Sequence, residues 1–131
     1  MTVEEQVEQR LRDAQPPACH SWPYPRAVPL PDEDPVTLLV AWQAGRCAGC
    51  GHPSPADVVV DHCHESGLVR GLLCTLCNNA EGTAPPRHPR WFRYRTLPPA
   101  VILGLRLQYG KPVRRRLDQV LAEAQKLAVQ G

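Results

Sequence analysis

Aromatic side chains are scarce: three Trp, three Tyr and one Phe in 131 residues. Fifteen prolines, seven within 16–35 and five within 85–99, interrupt the chain further. So little aromatic material and so many breaks exclude a large continuous core and argue against a two-domain enzyme. No apolar run approaches the ~18 residues of a membrane span. The opening MTVEEQVEQR lacks the basic-then-apolar order of a signal peptide. The expectation is a cytoplasmic chain, neither membrane-bound nor secreted, in a reducing setting. There, six cysteines read as metal ligands or free thiols before they read as disulfides.

Charge is close to balanced, at +2, but it is not evenly spread. Residues 1–81 hold five arginines against eleven acids, while 82–131 hold ten Lys or Arg against two acids. A basic second half is a candidate surface for a polyanion. Lysine is nearly absent, two against thirteen arginines. Arginine forks suit phosphate, and a GC-rich genome produces the same bias.

Thr2-Val-Glu-Glu5 has capping-box form, and Val3, Val7, Leu11 and Ala14 follow at helical spacing, which predicts a helix over 3–14. The Pro-rich stretch 16–35 predicts an extended arm. Asp34 as N-cap and Pro35 as first helical residue open a second helix that Gly45 stops. DVVVDHCH (57–64), the turn Glu65-Ser66-Gly67 and LVRGLL (68–73) predict a β-hairpin over 57–73. CTLCNNAE (74–81) reads as a short helix ended by Gly82. Beyond a second Pro-rich linker, helices are expected over 99–109, ended by Gly110, and over 112–129 with an apolar stripe of Val113, Leu117, Val120, Leu121, Ala124, Leu127 and Ala128.

The strongest chemical signal is a pair of knuckles, Cys47-Ala-Gly-Cys50 and Cys74-Thr-Leu-Cys77, separated by the hairpin. Two Cys-x-x-Cys turns present four thiolates to one tetrahedral zinc, and a saturated site of that kind is structural. The segment between residues 46 and 82 is shorter than the ~40 residues below which chains usually need help to fold, and structural zinc supplies that help. Within the loop lies Asp61-His62-Cys63-His64, and Asn78 follows the last knuckle cysteine. A carboxylate and an amide oxygen suit magnesium or a similar hard ion. A neutral histidine beside such an ion has a reference pKa of ~6.5, near enough to neutrality to act as a general base. Strict strand alternation puts Asp61 and His62 on opposite faces, so if both serve one phosphate the strand must end or bulge there. Cys63 alternates away from both histidines and reads as a small core residue. Cys19, His20, His52 and His88 have no partners at ligand spacing.

Cys47 to Cys50 followed by VVVDHCHESGLVRGLLCTLCNNAEG resembles the recombination endonuclease VII family of His-Me finger (ββα-metal, HNH-related) nucleases, over about residues 46–82. The resemblance implies zinc on Cys47, Cys50, Cys74 and Cys77. It implies a divalent catalytic ion, magnesium or another, on Asp61 and Asn78. His62 would be the general base and His64 would assist at the scissile phosphate. It further implies DNA, branched as in a Holliday junction, as substrate, cleavage to 5′-phosphate and 3′-hydroxyl ends, and a homodimer.

The expected fold is α+β, a small zinc-stabilised ββα-metal core (46–82) between N-terminal helices with a Pro-rich arm (1–45) and a basic linker with C-terminal helices (83–131). Candidate DNA contacts are Arg70 on the second strand, Arg93 and Arg95 among Trp91, Phe92 and Tyr94, and Arg114, Arg115 and Arg116 in the first turn of the last helix. Each has an ordinary alternative. Arg70 is ion-paired or solvated, the aromatics belong to the core, and the arginine run is a solvated face. Two other functions are compatible with the same residues: a nuclease or nickase indifferent to branching, and a zinc module that binds nucleic acid without cutting it.

Overall fold

The computed structural model describes residues 1–23, 34–53 and 57–130, with side chains as far as residue 126. Residues 24–33, half of the expected Pro-rich arm, lie outside the described residues. The elements in chain order are α1 (Val3–Ala14), a 3-10 turn (Ala18–Ser21), α2 (Pro35–Gln43), β1 (Val58–His62), β2 (Val69–Cys74), α3 (Thr75–Thr83), α4 (Pro89–Thr96), α5 (Pro99–Ile102) and α6 (Lys111–Gln130).

The two N-terminal helices start where their caps dictate. Glu5 N–H donates to Thr2 Oγ1 at 3.1 Å, and Val36 N–H donates to Asp34 Oδ1 at 3.1 Å, each satisfying one of the amides a helix start leaves unpaired. β1 and β2 form an antiparallel hairpin with Val60 opposite Leu72 and Asp61 opposite Gly71. The next pair is His62 with Val69, so Arg70 is an extra residue on β2 and the ladder bulges between Asp61 and His62.

Both faces of β2 are buried, which is why LVRGLL is nearly continuous in apolar residues. Leu72 points into one cluster with Val36, Leu39 and Val40 of α2, Leu107, and Leu117 and Val120 of α6. Leu73, one residue on, points into the other, with Cys47, Ala48, Cys77, Trp91 and Tyr94. The α6 stripe therefore closes the chain's own core through Leu117 and Val120.

The outer edge of β2 is covered in three places. The Gln43 side chain acts as a strand partner, its Oε1 accepting from Leu72 N–H at 2.8 Å and its Nε2 donating to Leu72 O at 2.9 Å. Ala48 N–H donates to the same carbonyl at 3.0 Å, and Val69 N–H donates to Leu107 O at 2.8 Å. An exposed strand edge is an aggregation template, and these contacts cover this one at Val69 and Leu72.

Four expectations need correction. The helix after the second knuckle passes through Gly82 to Thr83. Its terminal carbonyls are taken by the Arg95 guanidinium, which donates to Glu81 O at 2.7 Å and Ala84 O at 3.3 Å, so no glycine cap is required. The expected linker contains α4, opened by His88 as N-cap and Pro89 as first residue. The expected helix 99–109 stops at Ile102, because Gly104 takes a left-handed φ of 69° and the chain then turns to pair with the hairpin. The first part of the Pro-rich arm is not extended throughout: Ala18–Ser21 form a 3-10 turn, and Ala18 N–H and Cys19 N–H donate to Gly49 O and Ala48 O at 2.9 and 3.0 Å, docking it on the first knuckle.

Among the described residues, no helix is long and apolar enough to cross a membrane.

Candidate metal centre and active site

The first knuckle is shaped by backbone bonds from Gly51 N–H to Cys47 O at 2.8 Å and from Cys47 N–H to His52 O at 3.1 Å. Gly49 is required at its turn: a Cβ there would lie 2.8 Å from Trp91 Cη2 and 3.1 Å from Cys77 Sγ. The second knuckle is the β2–α3 junction, with Cys74 as the N-cap of α3.

The two turns bring the four sulfurs of Cys47, Cys50, Cys74 and Cys77 within 4.8 Å of one another. All four are free thiols. A regular tetrahedron of zinc–sulfur bonds has sulfurs about 3.8 Å apart, so the cluster needs only a small contraction around the ion. A hydrogen bond from the Cys77 thiol, helped by backbone N–H groups and opposed by burial, holds Cys47 down to about 4. Among those amides, Gly49 and Cys74 donate to Cys47 Sγ at 3.3 and 3.2 Å. The proton remains on Cys77, whose bond to Cys47 and burial push it up. Donor set, spacing and N–H···S bonds are those of a structural zinc site.

Cys19 packs in the same cluster, and burial pushes its thiol up to about 12. Cys63 is not the core residue expected. It is partly exposed at the start of the hairpin turn, and bonds from Ser66 lower its thiol.

The bulge at Arg70 organises the other half of the site. Asp61, nearly inaccessible at 5% exposure, receives Arg70 Nε on Oδ2 at 2.8 Å, Arg70 Nη2 on Oδ1 at 3.0 Å, and the Tyr94 hydroxyl on Oδ2 at 2.8 Å. Arg70 Nη2 also donates to Glu81 Oε1 at 2.9 Å, and Arg95 Nε donates to the same oxygen at 2.8 Å. Asp61, Arg70, Glu81 and Arg95 thus form a chain of alternating charge linking β1, β2, α3 and α4.

Burial pushes Asp61 above its ordinary value, against the pull of Arg70 and Tyr94. Burial also acts to lower Arg70 but is outweighed by Asp61 and Glu81, so the guanidinium is held above its usual value. The bidentate contact is that of an ionised pair, and the upward shift of Asp61 reflects what its burial costs. Arg70→Met is expected to destabilise the fold by about 3–5 kcal/mol, because it leaves buried Asp61 without a cationic partner and Glu81 with Arg95 alone. Urea unfolding of the zinc-loaded protein measures it.

His62 is half-buried and His64 exposed, on the same side as alternation predicts, with ring centroids 5.1 Å apart. Burial, with the charges of His64 and Arg70, holds His62 below its ordinary value against the pull of Asp61. The neutral, proton-accepting imidazole is therefore favoured at pH 7. The strand both bulges and ends at the Asp61–His62 step, where Asp61 turns inward to α4 and His62 outward to solvent.

Asn78 is half-buried on α3 and Asn79 exposed. Asn78 lies three residues before Glu81, so the two share a helix face. Glu81 and Tyr94 escaped the sequence reading. A carboxylate four residues after a zinc ligand, on the Asn78 face, was the available signal for Glu81. Tyr94 carries none, because its role depends on where α4 docks.

The candidate DNA arginines divide into two groups. Arg70 and Arg95 are in the buried chain, and Arg93 Nη1 donates to Ala14 O at 3.0 Å. Trp91 and Tyr94, between them in sequence, are core residues, while Phe92 is exposed. Arg114 and Arg115 are exposed, and Arg116 pairs with Asp34 at 2.7 Å on the surface. Of the lone histidines, His20 Nε2 lies 2.8 Å from Leu97 O and His88 Nε2 lies 3.2 Å from Asp13, both structural contacts, while His52 is exposed.

The sequence pattern of the recombination endonuclease VII family matches residues 26–97, more than half of the chain, and so takes in both knuckles and the Asp61–Glu81 network. The chain belongs to that family. The Gene 59 protein of Mycobacterium phage L5 is 49% identical over 47 residues, 34% of this chain and 29% of that protein. The Gene 59 protein of Mycobacterium phage D29 is 49% identical over 42 residues, 30% of this chain and 26% of that protein. The chain thus aligns with less than a third of either relative. No solved structure matches it.

Proposed function

We propose that this chain is a metal-dependent DNA endonuclease of the His-Me finger type, acting on branched DNA. The observation that carries the reading is the position of His62: favoured in its neutral form, it sits one residue from a buried carboxylate, on a hairpin closed at its base by four thiols.

His62 accepts a proton from water as that water attacks phosphorus in line with the departing 3′ oxygen. The bond formed is water oxygen to phosphorus and the bond broken is phosphorus to O3′; the departing O3′ takes a proton from solvent water, leaving a 5′ phosphate and a 3′ hydroxyl. His64, exposed on the same side, reaches the phosphate oxygens.

The catalytic ion fits the donor chemistry. An ionised carboxylate offers about four lone-pair sites, and Arg70 and Tyr94 take two on Oδ2 and one on Oδ1. One site on Oδ1 is left, and a carboxylate oxygen and the side-chain oxygen of Asn78 are hard donors of the kind magnesium takes. An ion held there would supply positive charge against the charge developing on the phosphate.

Arg114 and Arg115 are the best-placed phosphate contacts. Cations in the first turn of a helix oppose its dipole, and a nearby phosphate removes the conflict. Arg116 is available at little cost, since an exposed pair such as that with Asp34 is worth about 0–1 kcal/mol. For Arg70, Arg93 and Arg95 a phosphate contact would mean releasing an internal partner. Resolution of a four-way junction by paired nicks needs two such sites, hence two copies of the chain.

The test is cleavage, with magnesium, of a four-way junction against a linear duplex of the same sequence. Junction cutting faster by tenfold or more is expected. Equal rates replace branch selectivity with a general nickase using the same residues, and binding without any cutting leaves a zinc nucleic-acid-binding module.

A further inference from the structure

His62 lacks the partner that usually orients a catalytic base. In most such sites a third group hydrogen-bonds the base and fixes its ring. Among the described residues, neither ring nitrogen of His62 has a hydrogen-bond partner. What His62 has instead is Tyr109, whose ring lies parallel to the imidazole at 6° with centroids 4.0 Å apart. Stacking of this kind fixes the plane of the imidazole and covers one face, while both nitrogens stay open at the ring edge.

The backbone that presents Tyr109 is itself fixed. Beyond Gly104 the chain runs back along the hairpin, anchored by buried Leu107, whose carbonyl takes the Val69 N–H at 2.8 Å. Leu68 and Gln108 form a bridge, Gln108 Nε2 donates to Ser66 O at 3.0 Å, and Tyr109 N–H donates to Gly67 O at 2.7 Å. Tyr109 is thus tied to the turn that follows His64, and its ring moves with the two histidines. Gly110 then leads into α6, which is locked to α2 through Leu117 and Val120. The segment lies beyond residue 97, where the family match ends.

The geometry points to Tyr109 as a positioning residue that holds the His62 imidazole in the orientation from which it takes a proton from water, an inference that rests on the endonuclease reading. The ring and not the hydroxyl performs this role, so phenylalanine substitutes for tyrosine and alanine does not.

The experiment uses the full zinc-loaded chain with Tyr109→Phe, Tyr109→Ala and Tyr109→Leu, the last filling the space without an aromatic face. The carbon-bound ring protons of His62 are followed by NMR, and nicking of DNA is measured in single turnover at saturating protein. An aromatic face shifts those protons upfield; the shift is expected in wild type and Tyr109→Phe, and lost in the Ala and Leu variants. The nicking rate is expected to fall on the order of 10- to 100-fold in Ala and Leu with unchanged DNA affinity, and to recover in Phe. Wild-type rates in Tyr109→Leu overturn the proposal. So does a loss confined to DNA affinity, which makes Tyr109 a DNA contact, or a failure of Phe to recover, which makes the hydroxyl the acting group. If wild type cuts no DNA, the endonuclease reading falls. The NMR shifts still decide whether Tyr109 holds the ring: the upfield shift lost in Leu supports that placement, and its persistence in Leu overturns it.

Discussion

Zinc removal, by chelator or by Cys74→Ser, is expected to unfold the hairpin and both knuckles together. Structural zinc contributes an apparent ~10–16 kcal/mol in zinc-finger peptides, as much as the ~5–15 kcal/mol that holds a whole domain folded. The loss is not confined to the ion. Cys47 accepts the Cys74 amide, Ala48 donates to β2, and Cys19, Leu73, Trp91 and Tyr94 pack on the cluster. Once the sulfurs separate, α4 loses the surface on which its aromatics sit. Amide NMR dispersion and zinc content check this together. Cys63→Ser, on a cysteine outside the cluster, should keep one zinc per chain and native dispersion. A dispersed spectrum in Cys74→Ser, or in wild type stripped of zinc, would show that the packing of the two clusters suffices without the metal.

Much of this arrangement was legible in the sequence because it is governed by short-range chemistry. Thr2 and Asp34 cap helices through amides two or three residues away, and the knuckles depend on a turn of four residues. The hairpin follows from β-branched runs around Glu65-Ser66-Gly67. The remainder required partners distant in the chain. α4 was hidden in a Pro-rich stretch because His88-Pro89 opens a helix as readily as it breaks one. Residues 105–109 favoured a helix by local pattern, and the open edge of β2 at Val69 drew them into extended pairing instead. Gly82 lost its expected role to Arg95, thirteen residues later in the chain.

The candidate site divides along the same line. Asp61, His62, His64, Asn78 and the four cysteines stand out by type and spacing, within a stretch of 32 residues. Glu81 and Tyr94 do not, since a glutamate on a short helix and a tyrosine among arginines are ordinary surface residues until the fold buries them. Strand alternation called for an irregularity at the Asp61–His62 step only if both residues serve one phosphate, and it had no means of placing the extra residue, because a bulge on β2 is a property of the pair of strands. That extra residue, Arg70, is what couples the carboxylate of β1 to the helix carrying Asn78.

His62→Ala is expected to lower nicking by about 10²- to 10⁴-fold, the usual contribution of a positioned general base, while zinc content and DNA affinity stay as in wild type and stability falls only slightly. The stability expectation follows from the structure: the ring is half-buried and its nitrogens have no hydrogen-bond partner among the described residues, so alanine strands no donor or acceptor. It loses mainly a stacked contact worth about 0.5–1.5 kcal/mol. This separates His62 from its neighbour. Replacing Asp61 would free Arg70 and Tyr94 from a buried carboxylate, and lost activity could not then be distinguished from a disturbed fold. Gel-shift affinity, thermal unfolding and single-turnover nicking on one preparation provide the three readings. Equal residual nicking in wild type and variant would remove His62 from the chemistry and leave the zinc module as a DNA-binding surface. Retained binding with cutting abolished would place the reaction at the end of β1, one residue beyond the carboxylate that Arg70 holds.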